Sequence, residues 1–307
     1  PECDVMEKLL QGLRDYFLFS ADAEVTIEAN PGTLTPEKLS IYRKYGINRI
    51  SIGLQSPNNK ELAMLGRIHN YAQFLESFQM ARAAGFSNIN VDLMFAIPGQ
   101  SYDGWIENLQ TVAALGPEHI SAYSLIIEEG TPFFRKKLDL PDEDTEYRMY
   151  EDVAAVLKEY DYHQYEISNY AKAGYECRHN EGYWQRKDYL GLGLGAASLL
   201  GMERFSNTAD MQEYLKNSSA PEKIRKNREL LTREDEMAEF MFLGLRMTQG
   251  VSKKEFQEYF GTAIENIYGE VLKKYKKQGL LLEESGRIFL SREGIHVSNA
   301  VMADFLL

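Results

Sequence analysis

Polar residues recur where hydrophobic runs end. Residues 23–27 run into Glu28, 49–54 into Gln55, 88–91 into Asp92 and 120–127 into Glu128. Runs rich in β-branched residues and separated by amphipathic stretches predict a β/α array. Such arrays hold their chemistry at the carboxyl ends of their strands. Four carboxylate or amide groups at one level therefore predict a shared site for a polar small molecule. Asp92 is the most telling of them, because Val91 and Leu93-Met94-Phe95 flank it and an acid so placed is costly to bury unpaired. A ribose diol would satisfy it; a capping or loop-bracing role is open to each of the four. Arg67 follows a helix in Leu65-Gly66-Arg67-Ile68-His69-Asn70. It suits bidentate capture of a carboxylate, or a plain surface role at the helix end.

A second set of candidates lies in Cys177-Arg178-His179-Asn180-Glu181-Gly182-Tyr183-Trp184. Imidazole can ligate iron, and Tyr or Trp rings can cover a macrocycle. Cys177 offers a softer ligand. The alternative is a loop that packs its aromatics inward. Gly191, Gly193 and Gly195 lack the strand–turn–helix setting of a phosphate loop and predict close backbone packing. His69, His119, His163 and His296 are scattered and read as structural or exposed. Cys3 and Cys177 are the only cysteines; with no C-x-x-C pair they offer neither a zinc site nor a cluster site.

These groups need elements to position them. Apolar spacing predicts helices over 4–17, from Thr35-Pro36, and over 58–66, 70–84 and 142–160. One more runs from about Ser101 to Gly116-Pro117. Thr35 can cap, and Pro36 fits a first turn. A strand is expected at 165–168, and 169–204 reads as a loop-like connecting segment. Beyond 205, helices near 232–247, 252–260 and 262–278 precede a hairpin at 280–283 and 287–290, and a last helix begins near Gly294. That order is winged-helix-like. The fold class expected is α/β: a β/α array with its connecting segment over residues 1–204, and a smaller α+β domain over 205–307. Because a helix comes before any strand, an amino-terminal segment is expected to be missing, leaving the strand at Glu28 as an edge.

A net charge of −12 argues against a nucleic-acid binder. The basic run 273–277 reads as a solvated helix face. No apolar run is long enough for a transmembrane segment, and two cysteines fit a reducing, cytoplasmic setting.

In this order the residues resemble the oxygen-independent coproporphyrinogen III oxidase-like branch of the radical S-adenosylmethionine superfamily. The marks are Glu28-Ala29-Asn30-Pro31-Gly32, Ser51-Ile52-Gly53-Leu54-Gln55-Ser56, Leu65-Gly66-Arg67, Asp92-Leu93 with Pro98-Gly99-Gln100, and Tyr165-Glu166-Ile167-Ser168-Asn169-Tyr170-Ala171. His179-Asn180-x-x-Tyr183-Trp184 looks like the signature of the HemW-type haem chaperones in that branch. The resemblance implies a partial (β/α)6 barrel with S-adenosylmethionine across its strand ends, held by Glu28 at its amino group, Arg67 at its carboxylate, Gln55 and Asp92 at the ribose, and Met94 and the neighbourhood of Ile126 at adenine. It implies haem at His179, with Tyr183 and Trp184, and His179 or Cys177 on the iron. Haem would pass to respiratory haem proteins. It also implies a [4Fe–4S] cluster on a C-x-x-x-C-x-x-C loop that these residues lack, so this chain alone is expected to do no radical chemistry. The alternative within the branch is oxidative decarboxylation of coproporphyrinogen III.

Overall fold

The computed structural model describes residues 2–307. They fall into two compact units, the first ending at Glu176 and the second spanning Cys177–Leu307. The boundary expected at 204/205 lies inside the second unit, and the His179 segment belongs to that unit.

In the first unit α1 (Cys3–Tyr16), β1 (Thr26–Ala29), α2 (Pro36–Lys44), β2 (Arg49–Gln55), α3 (Asn59–Met64), α4 (Tyr71–Ala83), β3 (Ile89–Phe95), α5 (Tyr102–Ala113) and β4 (His119–Ser124) alternate. Then come α6 (Glu143–Lys158), β5 (His163–Glu166) and β6 (Asn169–Ala171). The helices start where short polar side chains close the first turn. Thr35, Asn70, Ser101 and Asp142 each accept a backbone N–H of their helix, which satisfies a donor left over at the helix start.

The sheet order is β1-β2-β3-β4-β6-β5. Strands β1 to β4 are parallel, whereas β6 runs antiparallel to β4 and β5 antiparallel to β6. The sheet is an open one, and β1, paired only to β2 among the described residues, is an edge. Two expected strands differ. The run 120–127 stops being strand at Ser124, and of 165–168 only Tyr165 and Glu166 are strand, at the end of β5, while 167–168 form the turn into β6. Apolar composition continues past both ends, but pairing partners do not.

Alternation divides the strands. Ile50, Ile52 and Leu54 of β2 and Val91, Leu93 and Phe95 of β3 are buried in the apolar core with Phe74 and Trp105. Each buried side chain of this size contributes about 1.5–3 kcal/mol. The intervening residues, Ser51, Gly53 and Gln55, and Asn90, Asp92 and Met94, share the other face. At the amino-terminal side of the sheet Arg82 makes a two-pronged contact with Glu118, at 2.8 and 2.9 Å. Glu118 also accepts the Ile89 backbone N–H at 2.9 Å, so this cluster braces the strands away from the polar rim.

The second unit opens with α7 (Arg178–Trp184) and an antiparallel sheet of β7 (Ala197–Leu200), β8 (Glu203–Asn207) and, after α8 (Met211–Asn217) and α9 (Pro221–Ile224), β9 (Arg225–Leu230). Residues 178–184 are thus a helix, not a loop. Seven residues, with Gly182 among them and no side-chain cap, are too few to show a helical period. Gly191 is where the expected close packing occurs: a Cβ there would lie 2.2 Å from the Ala197 carbonyl oxygen.

The rest is α10 (Arg233–Gly244), β10 (Val251–Ser252), α11 (Lys253–Phe260), α12 (Ile264–Lys277), β11 (Leu281–Glu284), β12 (Arg287–Leu290), α13 (Arg292–His296) and α14 (Ser298–Ala303). Helix, strand, two helices and a hairpin with sheet order β10-β12-β11 are the expected winged arrangement. The hairpin turns on Ser285 and Gly286, both at positive φ, as a tight two-residue turn requires. Two of the four lysines in the basic run are paired, Lys274 with Asp304 and Lys276 with Glu283.

Candidate functional site

The polar face of the first unit is built in layers. Glu28 registers with Ser51, Ser51 with Asn90, and Asn90 with His119. One layer toward the carboxyl ends Asp92 registers with Ser121, and above it Met94 with Tyr123. Asp92 therefore lies within its strand and not at the end of it, on the face opposite the core.

It is not unpartnered. Asn90 donates its amide to Asp92 Oδ1 at 2.8 Å, and Ser51 donates to Oδ2 at 3.3 Å. Even so, burial pushes the Asp92 carboxyl above the usual carboxylate range. Hydrogen bonds from Asn90, Ser121 and Ser51 oppose the shift, and the Glu28 charge adds to it. Behind Asn90 the amide oxygen accepts from His119 Nδ1 at 2.6 Å, and His119 Nε2 meets the Tyr165 hydroxyl at 2.8 Å. Burial, helped by the Arg49 charge, holds His119 well below the usual histidine value. The ring is neutral, with its proton on Nδ1, and Nε2 accepts from Tyr165. This chain fixes the orientation of Asn90 and so of Asp92.

Gln55 ends β2 in the left-handed region, at φ 73°, which costs a residue with a side chain about 1 kcal/mol or more. Its neighbours hold it there. The Leu54 carbonyl is bound by His69 Nε2 at 3.1 Å. On the other side, Ser56 donates to Glu61 Oε2 at 2.6 Å. That oxygen also accepts from Gln100 at 3.0 Å and Asn108 at 2.9 Å. Glu61 thus ties the loops after β2 and β3 to α5. Gln55 in turn accepts the Tyr123 hydroxyl at 2.8 Å. Tyr123 is pushed up to about 12, by burial first and the Asp92 charge second, with Gln55 and Arg67 opposing.

Glu28, Gln55, Asp92 and Arg67 thus act on the one phenol of Tyr123, and Met94 registers with it. Gly53 leaves a cradle among them: a Cβ there would lie 3.2 Å from Gln55 Nε2 and 3.8 Å from Asn30 Oδ1. Two expected rim groups are not brought in. Glu128 is exposed, in a turn beyond β4 closed by Thr131, and Ile126 is 76% exposed. Glu61, His69 and Tyr123 were not singled out from the sequence. Glu61 reads as a surface acid on a short helix, and only the fold brings Ser56, Gln100 and Asn108 to it.

A ligand with hydroxyls, an ammonium and a carboxylate matches this face: acceptors at Asp92, Gln55 and Glu28, and a cation at Arg67. An iron–sulfur cluster does not match these residues. Cys3 and Cys177 are the only cysteines, and no three metal-ligating side chains come together among the described residues.

In the second unit Cys177 is buried at the start of α7, whereas His179 is exposed. His179 and Tyr183 stand edge to face, 4.6 Å between ring centroids, and Tyr183 stands likewise to Tyr189 at 4.7 Å. Just past the helix Arg186 binds the buried Glu239 at 2.7 Å and Glu236 at 3.0 Å, both on α10. Arg204 pairs with Glu239 as well. This network pins the end of α7, where Trp184 sits, against α10.

Comparison with known proteins bears on both units. Residues 3–112 match the family model of the Radical SAM superfamily, and 231–297 that of the HemN C-terminal domain. The chain is 37% identical to the heme chaperone HemW of Bacillus subtilis over 98% of its own length and 81% of that protein's. Identity to the heme chaperone HemW of Lactococcus lactis is 36%, over 98% and 80%, and to that of Escherichia coli 34%, over 93% and 78%. In structure it is similar to the coproporphyrinogen III oxidase HemN of Escherichia coli, a radical SAM enzyme. The TM-score is 0.86 at 21% identity, over 100% of this chain and 75% of the other. That likeness is one of fold.

Proposed function

This chain belongs to the HemW family of heme chaperones within the radical SAM superfamily, and we propose that it binds haem on its second unit and S-adenosylmethionine on the polar rim of its first. In this reading His179 offers its imidazole to the iron, with Tyr183 and Trp184 lining the macrocycle. The clients are respiratory haem proteins served from the cytoplasmic side. No helix among the described residues is long and apolar enough to cross a membrane.

On the rim, Asp92 and Gln55 take the ribose hydroxyls, Glu28 the methionine ammonium, Arg67 the carboxylate and Met94 the adenine. The sulfonium of S-adenosylmethionine supplies an electrophilic centre when bound there. The protein's own part is to present acceptors already aligned, since Asn90, His119 and Tyr165 orient Asp92 while His69 and Glu61 hold the backbone on either side of Gln55.

The observation that supports the haem reading most is the exposed His179, set edge-on to Tyr183 in a chain whose relatives are heme chaperones. Absorbance titration with haem tests it on His179→Ala beside Cys177→Ala. Loss of His179 should shift the Soret band as well as the affinity, because axial imidazole sets both. Loss of the buried Cys177 should change neither. If only Cys177→Ala alters the spectrum, the ligand has been assigned to the wrong residue. If neither variant does, the iron is held elsewhere.

A further inference from the structure

The second unit has a further feature apart from His179. An apolar groove of about 370 Å³ is lined by Trp184, Phe242, Leu243, Arg246, Met302 and Leu306, with Asn299 and Ala303 at its margin. Arg246 lies over the Trp184 ring, 4.2 Å from its centroid, and makes no ion pair among the described residues. Its Nε is buried without a hydrogen-bond partner, and so is the indole Nε1 of Trp184. Unsatisfied buried polar atoms are rare enough to need a reason. Here both are donors, and they adjoin across one stacked pair. The groove has apolar walls, a positive charge and a surplus of donors, and it lacks an anion.

His179 is not among the lining residues. His179 and Tyr183 are four apart on α7 and share a face, whereas Trp184 lies about 140° around the axis from His179 at 3.6 residues per turn. The signature segment therefore serves two faces of one short helix.

We propose that the groove seats the apolar edge of a porphyrin, with a propionate held by the Arg246 guanidinium. Arginine suits a carboxylate geometrically, and the Arg246 charge is not matched among the described residues. The porphyrin fits where a purely apolar molecule would leave the cation unmatched. The inference rests on the haem reading and adds that recognition here is of the carboxylate and the ring, not of the metal.

The test compares haem, metal-free protoporphyrin IX and protoporphyrin IX dimethyl ester by fluorescence quenching and absorbance titration of the full chain. Protoporphyrin IX should bind without iron, more weakly than haem only by what the His179 ligand adds, and the ester about tenfold more weakly than the free acid. Arg246→Gln should weaken both acids by about tenfold and leave the ester unchanged. Because Arg246→Gln also removes the stacking on Trp184, Leu306 provides a second handle. It is 63% exposed on the groove wall, so Leu306→Glu should weaken the acids and Leu306→Lys strengthen them. An ester that binds as tightly as the acid, or acids indifferent to both charge changes, overturns the groove assignment while haem binding itself stands. An unmodified protein that binds neither haem nor protoporphyrin overturns the haem reading as well.

Discussion

The two candidate surfaces differ in what the protein leaves unsatisfied. On the first unit the face around Asp92 is polar, and its groups are already bonded to one another, from Tyr165 through His119 and Asn90 to Asp92. On the second unit the groove beside Trp184 is apolar, and its buried polar atoms are unpaired donors. A pre-bonded acceptor network is rigid and suits a ligand that brings several hydroxyls and charges. A stacked cation without an anion suits a ligand that brings a carboxylate on an apolar body. The contrast argues for two ligands of different chemistry.

The supports of the two surfaces should fail differently. The largest effect is expected at Glu239, which is buried and faces Arg186 and Arg204. Glu239→Ala removes the carboxylate that Arg186 and Arg204 share, leaving Arg186 with Glu236 and Arg204 with Glu229, and should destabilise the second unit by about 3 kcal/mol. Chemical denaturation followed by near-ultraviolet circular dichroism would show it, and haem affinity should fall with it while the first unit is unaffected. Glu61→Ala is the counterpart on the first unit. It leaves Ser56, Gln100 and Asn108 without their shared acceptor, at a cost of roughly 2–3 kcal/mol. It should also reduce S-adenosylmethionine affinity, because the backbone at Gln55 is no longer held. An effect on haem affinity from Glu61→Ala would weaken the separation of the two surfaces.

Two smaller effects depend on protonation. The Asp92 carboxyl is raised in the fold, so the folded state binds more protons than the unfolded one between the two values. Stability conferred by protonated Asp92 is lost as pH rises through the carboxylate range, and at neutral pH the charged form is a burden. Asp92→Asn should therefore stabilise the free protein near pH 7, gain nothing at the acid end, and still weaken S-adenosylmethionine binding. His119 is shifted downward and is neutral in the fold. Its contribution is present above the unfolded histidine value of about 6.5 and is lost as pH falls below it. His119→Asn should flatten that part of the stability profile.

The smallest change tests the cradle. Gly53→Ala places a methyl 3.2 Å from Gln55 Nε2. It should weaken S-adenosylmethionine by about threefold with less than about 1 kcal/mol change in stability.

Much of this was legible in the residues because it is local. The cap at Thr35, the helix over 142–160, the hairpin at 280–290 and the run 49–54 depend on neighbours within a few positions. What was not legible depends on distant partners. The antiparallel return of β6 onto β4 cannot be told from composition, since Asn169-Tyr170-Ala171 is too short to show a direction. The helix at 178–184 is held by Arg186 on Glu239, a contact made only once α10 packs. Glu28 and Gln55 were readable as groups near strand ends, whereas Asp92 lies inside β3 and Arg67 after α3, so strand ends alone do not group them. The groove was not readable, because Arg246, Met302 and Leu306 carry no shared pattern with Trp184.

A crossed titration tests the account most directly: S-adenosylmethionine by calorimetry and haem by absorbance, each into Asp92→Ala and Arg246→Gln. Asp92→Ala should lose S-adenosylmethionine by about tenfold or more and bind haem as the unmodified protein does. Arg246→Gln should do the reverse. Loss of both ligands in either variant, or of neither in both, would contradict the assignment of two chemically distinct surfaces.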